Sequence, residues 1–200
     1  MRSRSASQIL DEADDLLKTA EFGLEDMRSR PGRARSGLRN AVIFGRNSTW
    51  ALQNLKSIVA DFEAWYAAKQ AEMKADPLMR YFHELRTKIE KQANTPTSPS
   101  LSIFSFDSGT DLQRFMPAPP GAVGFFLGGN DGGAGWEVEN PDGSIELYYV
   151  DLPPDIGKAE LHLHDAPQEV AQGRNAEQLV QEYLSKVKAI LREARARFST

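Results

Sequence analysis

Arg80, His83 and Arg86 follow one another at intervals of three in LMRYFHELRTKIEKQ, and His83 is one of only three histidines in the 200-residue chain. On a helix that spacing drifts along one side, opposite the apolar stripe Leu78, Phe82, Leu85 and Ile89. An imidazole flanked by guanidinium groups is the equipment of a general base beside a phosphate clamp. That pairing raises the question of a nuclease site. Acid–base cleavage at a phosphate needs a proton acceptor and a proton donor. His83, alone on this face, supplies one of the two, so a working site would need two chains. The competing reading is a solvated helix face, with Glu84, Lys88 and Glu90 nearby.

A second group is defined by charge. No acidic residue occurs between Met27 and Ala60, while Arg28, Arg30, Arg33, Arg35, Arg39 and Arg46 fall within 19 residues. Such a block can hold a phosphate backbone. No aromatic platforms are interleaved with it, as single-strand binders require. Residues 1–95 carry 16 Lys/Arg against 13 Asp/Glu, residues 96–173 carry 2 against 12, and residues 174–200 carry 6 against 3. The acidic middle is therefore a counter-surface within the same chain, and pairing between the two is the alternative to nucleic acid.

Other chemistry is thinner. His162 and His164 in HLHD share one face of a strand, but no third ligand stands at a metal-binding spacing. GGNDGGAGW is not followed by the lysine or the helix of a phosphate-binding loop. With no cysteine there is neither a disulfide framework nor a thiolate metal site. No metal and no cofactor are expected. Trp136 and Tyr148 are candidate binding anchors in the acidic half, beside Tyr149.

The elements that must position these residues are legible from periodicity. Residues 5–26 read as an amphipathic helix on Ile9, Ala13, Leu16, Leu17, Ala20 and Leu24, ended by Pro31-Gly32. A seam of Leu38, Ala41, Gly45, Ser48, Leu52, Leu55, Val59, Phe62 and Tyr66 predicts a long second helix. Ile43, Trp50, Ile58 and Trp65 lie off that seam. If continuous to Met73 it would span roughly 60 Å, which calls for a break or a contact between two copies. Asp76-Pro77 opens a third helix. NTPTSPS (94–100) reads as a linker. LSIFSF, AVGFFLGG, the hairpin WEVE–NPDG–SIELYYV and AELHLHD then predict a small antiparallel sheet of about four strands. Asn175 caps a last helix with Leu179, Tyr183, Val187, Ile190, Leu191 and Ala194 inward.

The fold class is α+β: an N-terminal antiparallel helical bundle with a long second helix, a small antiparallel sheet, and a C-terminal helix. The expected divisions are a bundle at 1–95, linker and first strand at 96–117, and sheet plus last helix at 118–200. The N-terminus lacks the apolar core of a secretory signal, and no stretch approaches the ~20 apolar residues of a membrane span. A cytoplasmic protein without membrane contact is expected.

The helical half, with LRNAVIFGRNSTWALQNL followed by YFHELRTKIEKQ, resembles the HEPN (higher eukaryotes and prokaryotes nucleotide-binding) superfamily over residues 5–93. In that family an arginine and a following histidine line a dimer groove and cleave RNA without metal. Leu85-Arg86-Thr87 matches the start of the motif. Thr87 replaces its asparagine, the histidine due near Lys91 to Ala93 is missing, and His83 precedes Arg86. The resemblance implies a homodimer and a bacterial stress or defence setting. The leading reading is a non-catalytic binding or interaction protein with RNA or another protein as partner. The alternatives are a ribonuclease using His83, Arg80 and Arg86, and a nucleic-acid binder using Arg33, Arg35, Arg39 and Arg46.

Overall fold

The computed structural model describes residues 4–129 and 131–199. Helix α1 (Ala6–Ser29) begins at Ser5, whose hydroxyl accepts from the Gln8 amide while the Gln8 side chain returns to the Ser5 N–H. This reciprocal cap satisfies two donors that the first turn would otherwise leave open. The chain turns at Pro31-Gly32 into α2 (Ala34–Ala51). Gly23 and Gly37 meet where these two helices cross. A Cβ on Gly37 would lie 2.4 Å from the Gly23 carbonyl oxygen, and one on Gly23 would lie 2.6 Å from the Gly37 oxygen. Any side chain there would force the backbones apart.

The predicted seam holds, but the helix that carries it breaks. A 3₁₀ segment, Leu52–Ser57, follows α2, and α3 (Phe62–Ala75) starts afresh. Leu52, Leu55, Phe62 and Tyr66 are nevertheless buried. The break lets one apolar stripe turn a corner instead of running straight, and Tyr66 Oη donates to the Thr49 carbonyl at 2.9 Å to hold that corner. Off the seam, Trp50 is 65% exposed and Ile58 is 41% exposed, while Trp65 packs edge-on against Phe198.

Helix α4 (Pro77–Gln92) opens as its sequence predicts: the Asp76 carboxylate accepts from the amides of Leu78 and Met79, and Pro77 takes the first position. The strands differ from expectation in two respects. Thr97 to Ser100, read as linker, already belong to β1 (Thr97–Ile103), which extends through Pro99. The five strands also form two sheets, not one. β1 pairs antiparallel with β5 (Gly157–Leu163), while β2 (Ala122–Leu127), β3 (Ala134–Glu139) and β4 (Ile145–Val150) form a meander. Pro99 lacks an amide proton, and a two-stranded ribbon in which both strands are edges can tolerate that loss.

After a single helical turn, α5 (Gln168–Ala171), α6 (Ala176–Phe198) runs back along the bundle. It packs on α1, α2 and α4, and its buried Leu179, Val180, Tyr183, Leu184, Val187 and Leu191 belong to the same core as the first four helices. Leu161 and Leu163 of β5 join that core. A second, smaller core lies under the meander, around Phe115, Ala134, Trp136 and Ile156. No helix of the described residues is long and apolar enough to cross a membrane.

Candidate functional site

Four helices bring polar side chains together around one small pocket of about 140 Å³. Arg46 and Thr49 come from α2, Lys74 from α3, Arg80 and His83 from α4, and Tyr183 from α6. Met73 and Met79 supply apolar wall, and among the described residues no carboxylate lines the space. Helix periodicity sets each position. Leu78, Phe82 and Leu85 pin α4 into the core, which turns Arg80 and His83 outward toward α3.

Tyr183, like Thr49, is a buried polar residue of the lining. Its ring stacks on Phe82 at 4.4 Å with planes 7° apart. Gly45 makes room for it, since a Cβ there would sit 2.8 Å from Tyr183 Cε1. The residue is 3% exposed and lines the pocket, and its hydroxyl makes no hydrogen bond among the described residues. Burial pushes that hydroxyl's pKa up, against the pull of the nearby Arg46 and Arg86 charges. It is therefore held as a neutral donor.

The cations differ in how free they are. Arg46 Nη1 donates to Thr49 Oγ1 at 2.6 Å and meets no carboxylate among the described residues. Lys74 and His83 likewise form no ion pair there. Arg80 lies 3.5 Å from Glu169 of α5, a pair in which both side chains are mostly exposed and so contributes little to stability.

Two of the three residues expected to do chemistry thus meet, and the third does not. Arg86 is half-buried outside the pocket and bonds to Glu90 at 2.7 Å. Arg46, assigned at first to the basic block, takes the vacant place. Sequence spacing alone did not reveal that 46 and 80 would converge, because the convergence depends on how α2 and α4 cross. Tyr183 was legible only as an apolar position of the last helix.

Most of the remaining basic block faces acids of its own chain. Arg28 pairs with Glu177 at 2.7 Å, and Arg30 and Arg33 flank Asp26 at 3.0 and 3.9 Å. Arg35 Nε lies 3.1 Å from Asp131 Oδ1 in the glycine segment, close enough to attract but angled so that neither atom completes a hydrogen bond. Burial raises the Asp131 pKa, and the charges of Arg35 and Arg39 oppose that rise. Arg39 donates to Thr95 Oγ1 at 2.8 Å. A larger cleft of about 340 Å³ opens between the α1–α2 turn, the glycine segment and β4–β5. Its charges are of both signs and partly paired, so it reads as the seam between bundle and sheet.

Trp136 is not a surface anchor. It is 8% exposed, and its indole N–H donates to the Phe115 carbonyl at 3.2 Å inside the second core. Tyr148 is 54% exposed. His162 Nε2 lies 3.1 Å from Ser100 Oγ on the neighbouring strand. No group of three His, Asp or Glu side chains among the described residues is arranged to hold a metal.

Residues 22–122 match the family model of bacteriophage lambda protein ea47. That stretch covers half of the chain and includes Arg46, Lys74, Arg80 and His83, while Tyr183 lies beyond it. No curated protein and no solved structure matches the chain.

Proposed function

We propose, on the premise that the chain belongs to the family of bacteriophage lambda protein ea47, that it is a phage-associated binding protein that performs no chemistry of its own. Its ligand site is the four-helix pocket, and the ligand presents an anionic group there. The observation that carries this reading is the pocket's composition: Arg46, Lys74, Arg80 and His83 converge around a neutral, unpartnered Tyr183 hydroxyl, with no carboxylate in the lining. Arg46, Lys74 and Arg80, whose one counter-charge among the described residues is the loose contact of Arg80 with Glu169, attract an anion, and low-dielectric walls strengthen that attraction.

The nuclease alternative, drawn from the HEPN resemblance, draws support from Arg80 and His83 sharing the pocket. The single imidazole in the pocket and the diversion of Arg86 to Glu90 weigh against it. Nucleic-acid binding through the basic block is weakened by the internal pairing of Arg28, Arg30, Arg33 and Arg35. Contact between two copies is part of the proposal only through the exposed Trp50 and Ile58.

Thermal unfolding in the presence of sulfate, phosphate and acetate, at constant ionic strength, tests the site. A ligand that binds only the native state raises the midpoint, by an amount that grows with the logarithm of its concentration above Kd. Wild-type protein should be stabilised by at least one of these anions and Arg46→Gln/Arg80→Gln should not. Equal responses in both proteins would remove the pocket from the argument. Labelled RNA incubated with EDTA should survive alongside both wild type and His83→Ala, and His83-dependent cleavage would replace binding with catalysis.

A further inference from the structure

Resting on that reading, we infer that the pocket is built for a carboxylate borne on a compact apolar body. The body is a phenyl or branched alkyl group, carried either by a free organic acid or by the C-terminal residue of a protein.

The walls argue for the apolar body. Met73, Met79 and the ring of Tyr183 present thioether and aromatic surface, so the pocket is far more apolar than its ring of charges suggests. A closed cavity of about 150 Å³ lined by Leu, Ile and Phe takes up benzene; this pocket, open at its charged rim, measures about 140 Å³ and has room for a group of that size. Methionine adapts its shape to an occupant at little cost. A bare phosphate would bring three charged oxygens against those methyl groups and leave the apolar volume unfilled.

The rim argues for the carboxylate. A guanidinium presents a planar fork that matches two carboxylate oxygens. Arg80 already has one carboxylate for company, that of Glu169 at 3.5 Å across an exposed and loose contact, so a ligand carboxylate would replace like with like. Arg46, steadied by Thr49 at 2.6 Å, stands without an acid of its own. The Tyr183 hydroxyl, 3% exposed as a residue and unpartnered, is left to donate to the ligand.

The experiment is a titration followed by the methyl signals of ¹³C-methyl-methionine, in which Met73 and Met79 report from inside the pocket. The probes are 3-phenylpropionate, acetyl-Gly-Gly-Phe with a free C-terminus, the same peptide as its C-terminal amide, and inorganic phosphate. At least one of the two acids should shift both methyl signals, with a Kd of roughly 0.1–1 mM for the small acid. The amide should bind at least about tenfold more weakly than the peptide acid. Whichever acid binds tighter identifies the natural source as a small molecule or a protein terminus. Arg46→Gln/Arg80→Gln should weaken binding about tenfold or more. Tyr183→Phe, which keeps the ring and its stacking, should weaken it about threefold or more with native-like circular dichroism. An amide that binds as well as the acid overturns the inference. So does phosphate binding more tightly than either acid, although that result would leave the anion pocket standing. Silence of both methyl signals with every probe would remove pocket and inference together.

Discussion

Asp76 shows how much one residue can do at the start of α4. Its carboxylate accepts from Leu78 and Met79 and also meets Lys186 of α6. Burial favours the neutral acid, but Lys186 and the two amides hold its pKa below the usual carboxylate range. Asp76→Ala removes cap and ion pair together and should lower unfolding stability by about 1–2 kcal/mol in denaturant titration. Asp76→Asn retains an acceptor for the amides and should lose clearly less; equal losses would show that the cap matters little. The Asp76-Pro77 signal was readable in the sequence because capping is local. The fate of Trp136 was not, because an aromatic on an alternating strand reads the same whether its face meets a core or a partner.

At the scale of elements, α1 and α2 cross closely through Gly23 and Gly37. Gly37→Ala would put a methyl group 2.4 Å from the Gly23 carbonyl oxygen. The helices would have to separate, and a loss of about 1–3 kcal/mol is expected from thermal or chemical unfolding. A stability unchanged within error would mean the crossing is looser than its geometry indicates. The apolar seams, and the helices now seen as α1, α4 and α6, were visible in apolar spacing, since a 3.6-residue period repeats in any context. A break was one of the two outcomes that the length of the seam called for, but its place after Ala51 was not visible, because a 3₁₀ turn preserves enough of that period to look continuous. Nor was the separation into two sheets, since pairing between β1 and β5 joins residues about 60 positions apart and leaves no mark on either strand alone.

Across the whole molecule, acids and bases latch remote parts. Arg195 of α6 reaches Asp11 and Asp14 of α1, Lys188 reaches Glu21, and Arg197 reaches Asp61. Asp165, just past β5, accepts from Tyr81 Oη at 2.7 Å and from Lys88 Nζ at 2.6 Å. Burial alone would raise the Asp165 pKa, but those two donors bring it below the ordinary value. Depressed carboxylate values contribute stability that is complete above the unfolded pKa, near 3.9, and is lost as pH falls through the folded value. Asp76 and Asp165 should therefore produce a decline in melting temperature that begins below about pH 4. Asp165→Asn should flatten part of that decline relative to its own neutral-pH stability. A variant as acid-sensitive as the wild type would dismiss the clip between β5 and α4. Asp131 has the opposite sign. Its raised value means that acidification relieves rather than weakens its place in the fold.

Helix α6 has one more consequence, for the order in which the chain can settle. Its apolar face completes the core begun by α1, yet some 150 residues separate the two in sequence. During synthesis on a ribosome, the first four helices would emerge with the groove meant for Leu179, Tyr183 and Val187 still open. Closing so long a loop is entropically costly and slow. The nascent protein would therefore expose a sticky trough until its final segment arrives, and the ligand pocket, which borrows Tyr183 from that segment, would be the last feature to mature.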